Sequence, residues 1–297
     1  MDFYISWSHS DAIFCEYFDN CCMLISAVPD NKNGIRKFRK NPKKLIIDSG
    51  ALFYSKNPGK YKLRDILDTQ FYIIDSAPLD MPIQLVHLDE PLLEKRTLSD
   101  KFSAVEKTLF NAYEYVNLLQ KYDPPPNVSL MGVIQGYDFP SITFSIHELK
   151  KLGFERFGLG SMLARSPAEQ IDYINFVTDI VSAKNLHIFG VTGINQMKEM
   201  AKLKLASFDS SRPTMVAAFH QVFYSEPFRT FLISESNVTR NQQRIEKPLE
   251  CECPVCINNP EDILNISHRD YMKLRSIHNY YHLAKTIEAI KQIEGVM

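Results

Sequence analysis

Lys44-Leu45-Ile46-Ile47-Asp48-Ser49-Gly50-Ala51 is the stretch on which the fold turns: an apolar, β-branched run passes directly into Asp, Ser and Gly. Such side chains pack well on a pleated sheet, whereas Asp, Ser and Gly favour the turn that ends a strand. The same pattern recurs at Asp2 to Ser6, Ile83 to Leu88, Leu130 to Ile134, Arg156 to Leu159, His187 to Val191 and Leu205 to Phe208. Seven candidate strands are thus visible, and the span between Phe228 and Leu249 is left to hold an eighth. Amphipathic segments of helix length lie among them: Ser99 to Lys121, Ser141 to Leu152, Pro167 to Ala183 with proline just inside its start, and Gln196 to Leu203. Strands alternating with helices make an α/β architecture, and eight of them fit a closed (β/α)8 TIM barrel better than an open sheet.

Composition agrees with one such domain. Of 297 residues, 45% are hydrophobic and 23% charged, which excludes general disorder. A barrel body over 1–247 leaves a small C-terminal unit over 248–297. Lys and Arg number 34 against 35 Asp and Glu, so no global basic field attracts a polyanion and any nucleic-acid contact is local. The start lacks a secretory pattern and no apolar run reaches membrane-spanning length, which leads to the expectation of a cytoplasmic protein. There is no internal repeat or low-complexity tract. Pro124-Pro125-Pro126 reads as a stiff connector, and Arg36 to Lys44, the densest basic run, reads either as a solvated loop or as a phosphate contact.

In a (β/α)8 barrel, polar residues at the C-terminal ends of strands line the site, which singles out Asp48, Asp89, Gln135, Gly160 and Asp209. Asp-Ser-Gly is equally a turn, so Asp48 alone reads as structural about as readily as catalytic. Glu90, Asp80 and Asp75 stand as alternatives to Asp89, and His9 follows the first strand. Near the C-terminus, Cys251-Glu252-Cys253-Pro254-Val255-Cys256 offers three thiolates to one ion. His268, His278 or His282 supplies a fourth ligand for tetrahedral zinc. A redox role for the terminal Cys pair has no place for the third cysteine, and four protein ligands leave no open position for catalysis, so the zinc is structural. Cys15, Cys21 and Cys22 read as buried free thiols.

Taken together, Ile47-Asp48-Ser49-Gly50-Ala51, Val133-Ile134-Gln135-Gly136, Phe157-Gly158-Leu159-Gly160, Ile188-Phe189-Gly190-Val191, Phe208-Asp209-Ser210 and the cysteine cluster with its later His-Asn resemble the tRNA-guanine transglycosylase superfamily. Order and spacing match from about Lys44 to the C-terminus. The resemblance implies a zinc-bearing barrel that exchanges guanine in a nucleic acid for a free 7-deazaguanine base without cutting the backbone. It implies Asp209 as nucleophile after the seventh strand and Asp48 as general acid/base. Asp89, Gln135, Gly160 and Ser161 fall at base-binding positions, and Cys251, Cys253, Cys256 and His278 at the Zn2+ ligands.

The pattern also departs from that family. After the nucleophile, tRNA-acting bacterial members carry an Arg-Ser-Gly-Arg-like stretch, whereas this chain reads Ser210-Ser211-Arg212-Pro213-Thr214-Met215. The sequence stops at Met297, without RNA-binding C-terminal domains of the archaeal kind. Both features are similar to the branch that modifies DNA, so DNA is the favoured partner and tRNA the alternative. An accessory protein or a homodimer fits either. Arg36 to Lys44 with Arg212, Arg240 and Arg244 forms the expected backbone clamp. A non-catalytic paralogue is disfavoured by the retained Asp48 and Asp209, and so is a zinc module that only binds nucleic acid.

Overall fold

The computed structural model describes residues 1–57, 59–92, 97–234 and 243–295. Eight parallel strands close into a barrel in chain order: β1 (Asp2–Trp7), β2 (Cys22–Ser26), β3 (Lys44–Asp48), β4 (Ile83–Val86), β5 (Val128–Ile134), β6 (Arg156–Leu159), β7 (Leu186–Ile188) and β8 (Ser207–Ser210). β8 returns to β1, with Asp209 opposite Tyr4. The connections carry α1 (Pro29–Lys32), α2 (Ala51–Tyr54), α3 (Leu63–Ile74), α4 (Leu98–Leu119), α5 (Phe139–Lys151), α6 (Pro167–Thr178), α7 (Ile194–Lys202) and α8 (Arg212–Ala218). A hairpin of β9 (Gln221–Ser225) and β10 (Phe228–Leu232) follows, then α9 (Arg269–Ile293).

The barrel is the expected fold with one strand placed differently. Phe228–Leu232 pairs antiparallel with β9 outside the barrel, and the strand missing from the count is Cys22–Ser26. Asp209 therefore stands on the eighth strand. The reason β2 escapes the alternation pattern is local. Its flanking connections hold short 3-10 turns at Phe14–Glu16 and Ile35–Lys37 and the single turn α1, so no amphipathic helix marks it off. The helix starts are set by reciprocal caps: Thr97 accepts from Asp100 N while Asp100 accepts from Thr97 N, and Ser166 and Glu169 do the same for α6. β4 stops at Val86 because the next residue enters the sheet with its side chain. His87 Nε2 accepts the Val133 N–H at 2.8 Å, and burial lowers the His87 pKa to about 4, keeping the ring neutral for that role.

Period-2 alternation then sorts each strand into two faces. Phe3, Ile5, Met23, Ile25, Leu45 and Ile47 belong to the main core outside the sheet, whereas Tyr4, Cys22, Leu24, Ile46, Val86, Met131 and Val133 form a separate cluster inside it. Continuing the inward register one step toward the C-terminal ends gives Ser6, Ser26, Asp48, Gln135, Gly160 and Asp209. The apolar plug fills the barrel, and the polar residues crown it.

Helix α9 seals the outside. Asn279 is fully buried; its Oδ1 accepts from Phe223 N at 2.8 Å and its amide donates to the Pro213 and Gln221 carbonyls, both at 3.2 Å. Arg275, also buried, donates to Ala217 O and Asn265 O, tying α9 to the end of α8. Among the described residues no helix is long and apolar enough to cross a membrane.

Candidate active site and metal centre

A cavity of about 780 Å3 opens at the C-terminal mouth of the barrel, and Asp48, Asp89, Gln135, Gly160, Ser161 and Asp209 all line it. Asp209 is the most heavily supported. Ser6 Oγ donates to its Oδ2 at 2.6 Å, Gly190 N–H to its Oδ1 at 2.9 Å, and His187 Nε2 lies 3.2 Å from the same oxygen. His187 is itself buried, with Nδ1 2.8 Å from Ser207 Oγ. When that hydroxyl donates to Nδ1, the ring presents its Nε2–H to the carboxylate. Gly190 adopts φ +71°, a backbone turn that points its N–H at Asp209 and that a side chain would strain.

Asp48 ends β3 as the main-chain turn begins. Its Oδ2 accepts from Gly50 N at 3.0 Å and from Ser26 Oγ at 3.2 Å, which is the turn-capping geometry expected of Asp-Ser-Gly. Burial nevertheless raises its pKa, and the negative charge of Asp209 pushes the same way against those hydrogen bonds. The structural and chemical readings of this residue thus coexist.

Asp89 faces the cavity, while its neighbour turns away: Glu90 accepts from Lys107 Nζ at 2.7 Å and its N–H donates to Thr108 Oγ1. Burial, with the charge of Asp48 second, raises the Asp89 pKa to about 7. Gln135 Nε2 donates to Asp89 Oδ2 at 2.6 Å, and the buried Gln135 Oε1 has no partner among the described residues. Gly160 makes this possible, because a Cβ there would lie 2.5 Å from Gln135 Nε2. The Gly160 N–H is committed to Ile134 O, so it is the carbonyl and the onward chain at Ser161 that remain for a ligand. Ser161 Oγ is spent on Leu92 N at 2.8 Å, bracing the loop after β4. Asp75 and Asp80 precede β4 and so lie toward the opposite end of the barrel, and His9 is exposed.

The basic run does not reach this mouth. Lys44 opens β3, at the end opposite Asp48, and pairs with Asp2 at 2.6 Å where β1 begins; Lys40 pairs with Asp19. Arg36 lies over the Tyr72 ring on the flank. Arg212 does border the cavity, yet its guanidinium turns inward to Thr192 O at 3.1 Å and over Phe223. Arg244 lies beside β10 near Glu246, and Arg240 falls outside the described residues. Strand direction removes Arg36 to Lys44 from a clamp around the mouth, and Arg212, which does border it, is engaged inside the protein.

On the outer side, Cys251, Cys253, Cys256 and His278 bring their ligand atoms within 4.8 Å of one another. His278 Nδ1 lies 3.6, 3.5 and 3.4 Å from the three sulfurs. A tetrahedral zinc with bonds of about 2.3 Å to sulfur and about 2.0 Å to nitrogen has N···S edges of about 3.5 Å, so the donor set fits. His278 Nε2 donates to Phe223 O at 2.8 Å, which fixes the tautomer and leaves the Nδ1 lone pair for the ion. Of the other histidines, His268 caps α9 by accepting from Asp270 N, and His282 Nε2 lies 3.2 Å from Cys251 Sγ as an outer neighbour.

Sequence reading missed Ser6, Ser26 and His187. A polar residue at the last inward position of an apolar strand is the signal that finds the two serines, once β2 is recognised as a strand.

Residues 79–293 match the family model described as queuine tRNA-ribosyltransferase. The chain is 25% identical over 260 residues to the queuine tRNA-ribosyltransferase of Chlamydia pneumoniae, covering 83% of this chain and 66% of that relative. Relatives of the same description from Anoxybacillus flavithermus and Ruminiclostridium cellulolyticum are each 24% identical, over 59% and 55% of this chain. The chain spans 66%, 47% and 45% of the length of these three relatives.

Proposed function

The chain belongs to the queuine tRNA-ribosyltransferase family, and from that premise we propose that it is a guanine transglycosylase, exchanging guanine in a nucleic acid for a free 7-deazaguanine base. One observation carries this reading: three carboxylates with different surroundings line a single cavity, one braced by three donors and two biased toward the proton. Exchange on the same sugar face takes two displacements. Asp209 attacks the anomeric carbon as the bond to guanine breaks, giving a glycosyl-aspartate. Asp48 gives a proton to the departing base and then takes one from the incoming base, whose nitrogen displaces Asp209. A carboxyl whose pKa is raised by burial and by a neighbouring anion is suited to that shuttle.

Asp89 and Gln135 read the purine. Their mutual hydrogen bond leaves the open Gln135 Oε1 and, once Asp89 is ionised, its second oxygen as acceptors for the ring N–H and exocyclic amine along guanine's edge. Gly160 and Ser161 complete that pocket. Zinc held by Cys251, Cys253, Cys256 and His278 supplies a structural cross-link between α9 and the segment before it; no chemical step uses it. In this reading residues 1–247 are the catalytic body and 248–297 its zinc-bearing closure.

DNA is favoured over tRNA. Past Asp209 the chain enters α8 at once, and Arg212, its first residue, is turned into the protein instead of toward a ribose-phosphate chain. Labelled guanine supplied with duplex DNA or tRNA under matched conditions tests this. Incorporation into DNA supports it; incorporation into tRNA alone overturns the DNA assignment and keeps the transglycosylase.

A further inference from the structure

The connection between β3 and α3 lies on the mouth side and carries the cationic patch that Arg36–Lys44 does not supply there. From Ser55 to Arg64 the sequence contains Lys56, Lys60, Lys62 and Arg64 and no acid, within a chain of net charge −1. All four are exposed. The turn that leads into them is part of the cavity wall, since Ala51, Leu52 and Phe53 line it.

The described backbone on either side of Pro58, which lies outside the described residues, is hydrogen-bonded. Lys56 N–H donates to Phe53 O at 3.3 Å, the Asn57 side-chain amide donates to the same oxygen at 2.9 Å, and Lys60 N–H donates to Asn57 O at 3.3 Å. Tyr61 packs on Tyr54 at 5.0 Å and on Phe53 at 5.9 Å. Lys60 Nζ lies 5.4 Å over the Tyr61 ring, a contact that leaves its charge uncompensated. Among the described residues Lys56, Lys60 and Lys62 have no carboxylate partner, and the nearby Asp65 is committed to the Lys62 N–H at 2.8 Å. Like charges crowded on one anchored loop repel each other until a polyanion neutralises them.

Strand geometry says where such a polyanion runs. Asp209 and Asp48 end β8 and β3, so a nucleotide whose sugar sits between them leaves the cavity with its phosphates over the β8 or the β3 rim. At the β8 rim Arg212 is engaged internally. Resting on the proposed exchange at this mouth, we infer that DNA phosphates flanking the extruded nucleotide cross the β3–α3 connection and are held by Lys56, Lys60 and Lys62.

Two triple variants of equal charge change test the assignment: Lys56→Ala with Lys60→Ala and Lys62→Ala, against Lys40→Ala with Lys43→Ala and Lys44→Ala at the other end. Binding of a fluorescent duplex is followed between 50 and 200 mM salt. Three lost phosphate contacts flatten the slope of log affinity against log salt by about 2.7, so the mouth variant sheds roughly 40-fold of the salt sensitivity of the wild type. The far-end variant keeps the wild-type slope. Equal slopes for wild type and mouth variant overturn the inference, and so does an equal effect of both triples or salt-insensitive binding by the wild type. Guanine exchange assayed in parallel keeps the two ideas separate: absence of exchange into DNA and tRNA defeats the transglycosylase reading, while the slopes alone judge the loop.

Discussion

The barrel mouth and the cysteine knuckle both gather polar side chains, and they treat those side chains in opposite ways. At the knuckle every group is spent: His278 gives one nitrogen to Phe223 O and turns the other toward three sulfurs, while backbone N–H groups of Cys253 and Cys256 donate to Cys251 and Cys253 sulfurs. At the mouth, polar atoms are left open. Among the described residues Gln135 Oε1 has no partner, and Asp89 and Asp48 are held with raised pKa values by the same burial that a folding chain ordinarily avoids. Saturation marks a group that holds the fold together, and unspent capacity marks one awaiting a ligand.

The sharpest way to break that contrast is Asp209→Asn. It keeps an amide oxygen for the Gly190 N–H and sets the amide NH2 against Ser6 Oγ, a hydroxyl that can turn to accept, so melting temperature changes little, while exchange falls by about 10⁴-fold or more because the attacking oxygen is gone. A thermal melt beside an exchange assay separates the two effects. Cys253→Ala should do the reverse. Loss of a zinc ligand removes binding energy that is folding energy, on the order of 5 kcal/mol, and lowers the melting temperature by more than about 10 °C. Metal content by elemental analysis should fall from about one zinc per chain, and purified protein with no zinc in the wild type would erase the knuckle side of the comparison.

Asp48→Asn comes next, with an expected loss of about 10²- to 10⁴-fold in exchange through loss of the proton shuttle. Near-normal exchange by this variant would return Asp48 to a purely turn-capping role. The smallest effect is on stability and has a definite sign. Asp89 has a folded pKa of about 7, above its unfolded value, so the folded state holds the proton more tightly. Its contribution to stability is greatest below about pH 4 and declines as pH rises to about 7. Asp89→Asn abolishes that decline: denaturant melts should show the variant more stable at pH 8 by up to about 4 kcal/mol, with no gain at pH 4. A stabilisation that is the same at both pH values would mean that Asp89 is not the group responsible.

How much of this was legible follows from what each feature depends on. Alternation of apolar runs and helices is a local property, so the barrel and the segments Lys44–Asp48 and Arg156–Leu159 can be read directly from the chain. β2 could not be read that way, because its flanking connections lack helices, and the apolar stretch at Phe228–Leu232 supplied a decoy. Strand-end carboxylates were visible as residues, yet the inward register that unites them with Ser6 and His187 depends on closure of β8 onto β1. Metal spacing in Cys251–Cys256 is local and was legible, whereas the choice of His278 over its neighbours rests on Phe223 O, fifty-five positions away. The clamp failed for a simpler reason. A run of cations such as Arg36 to Lys44 does not tell along the sequence at which end of a strand it stands.

The central claim, that Asp209 is the group that bonds to the sugar, is tested most directly by quenching the protein with its nucleic acid in acid and mapping the modified peptide by mass spectrometry. The account predicts a glycosyl adduct on the peptide carrying Asp209, absent from Asp209→Asn and discharged when free base is added before the quench. An adduct on Asp48 or Asp89, or rapid base exchange by Asp209→Asn, would contradict it.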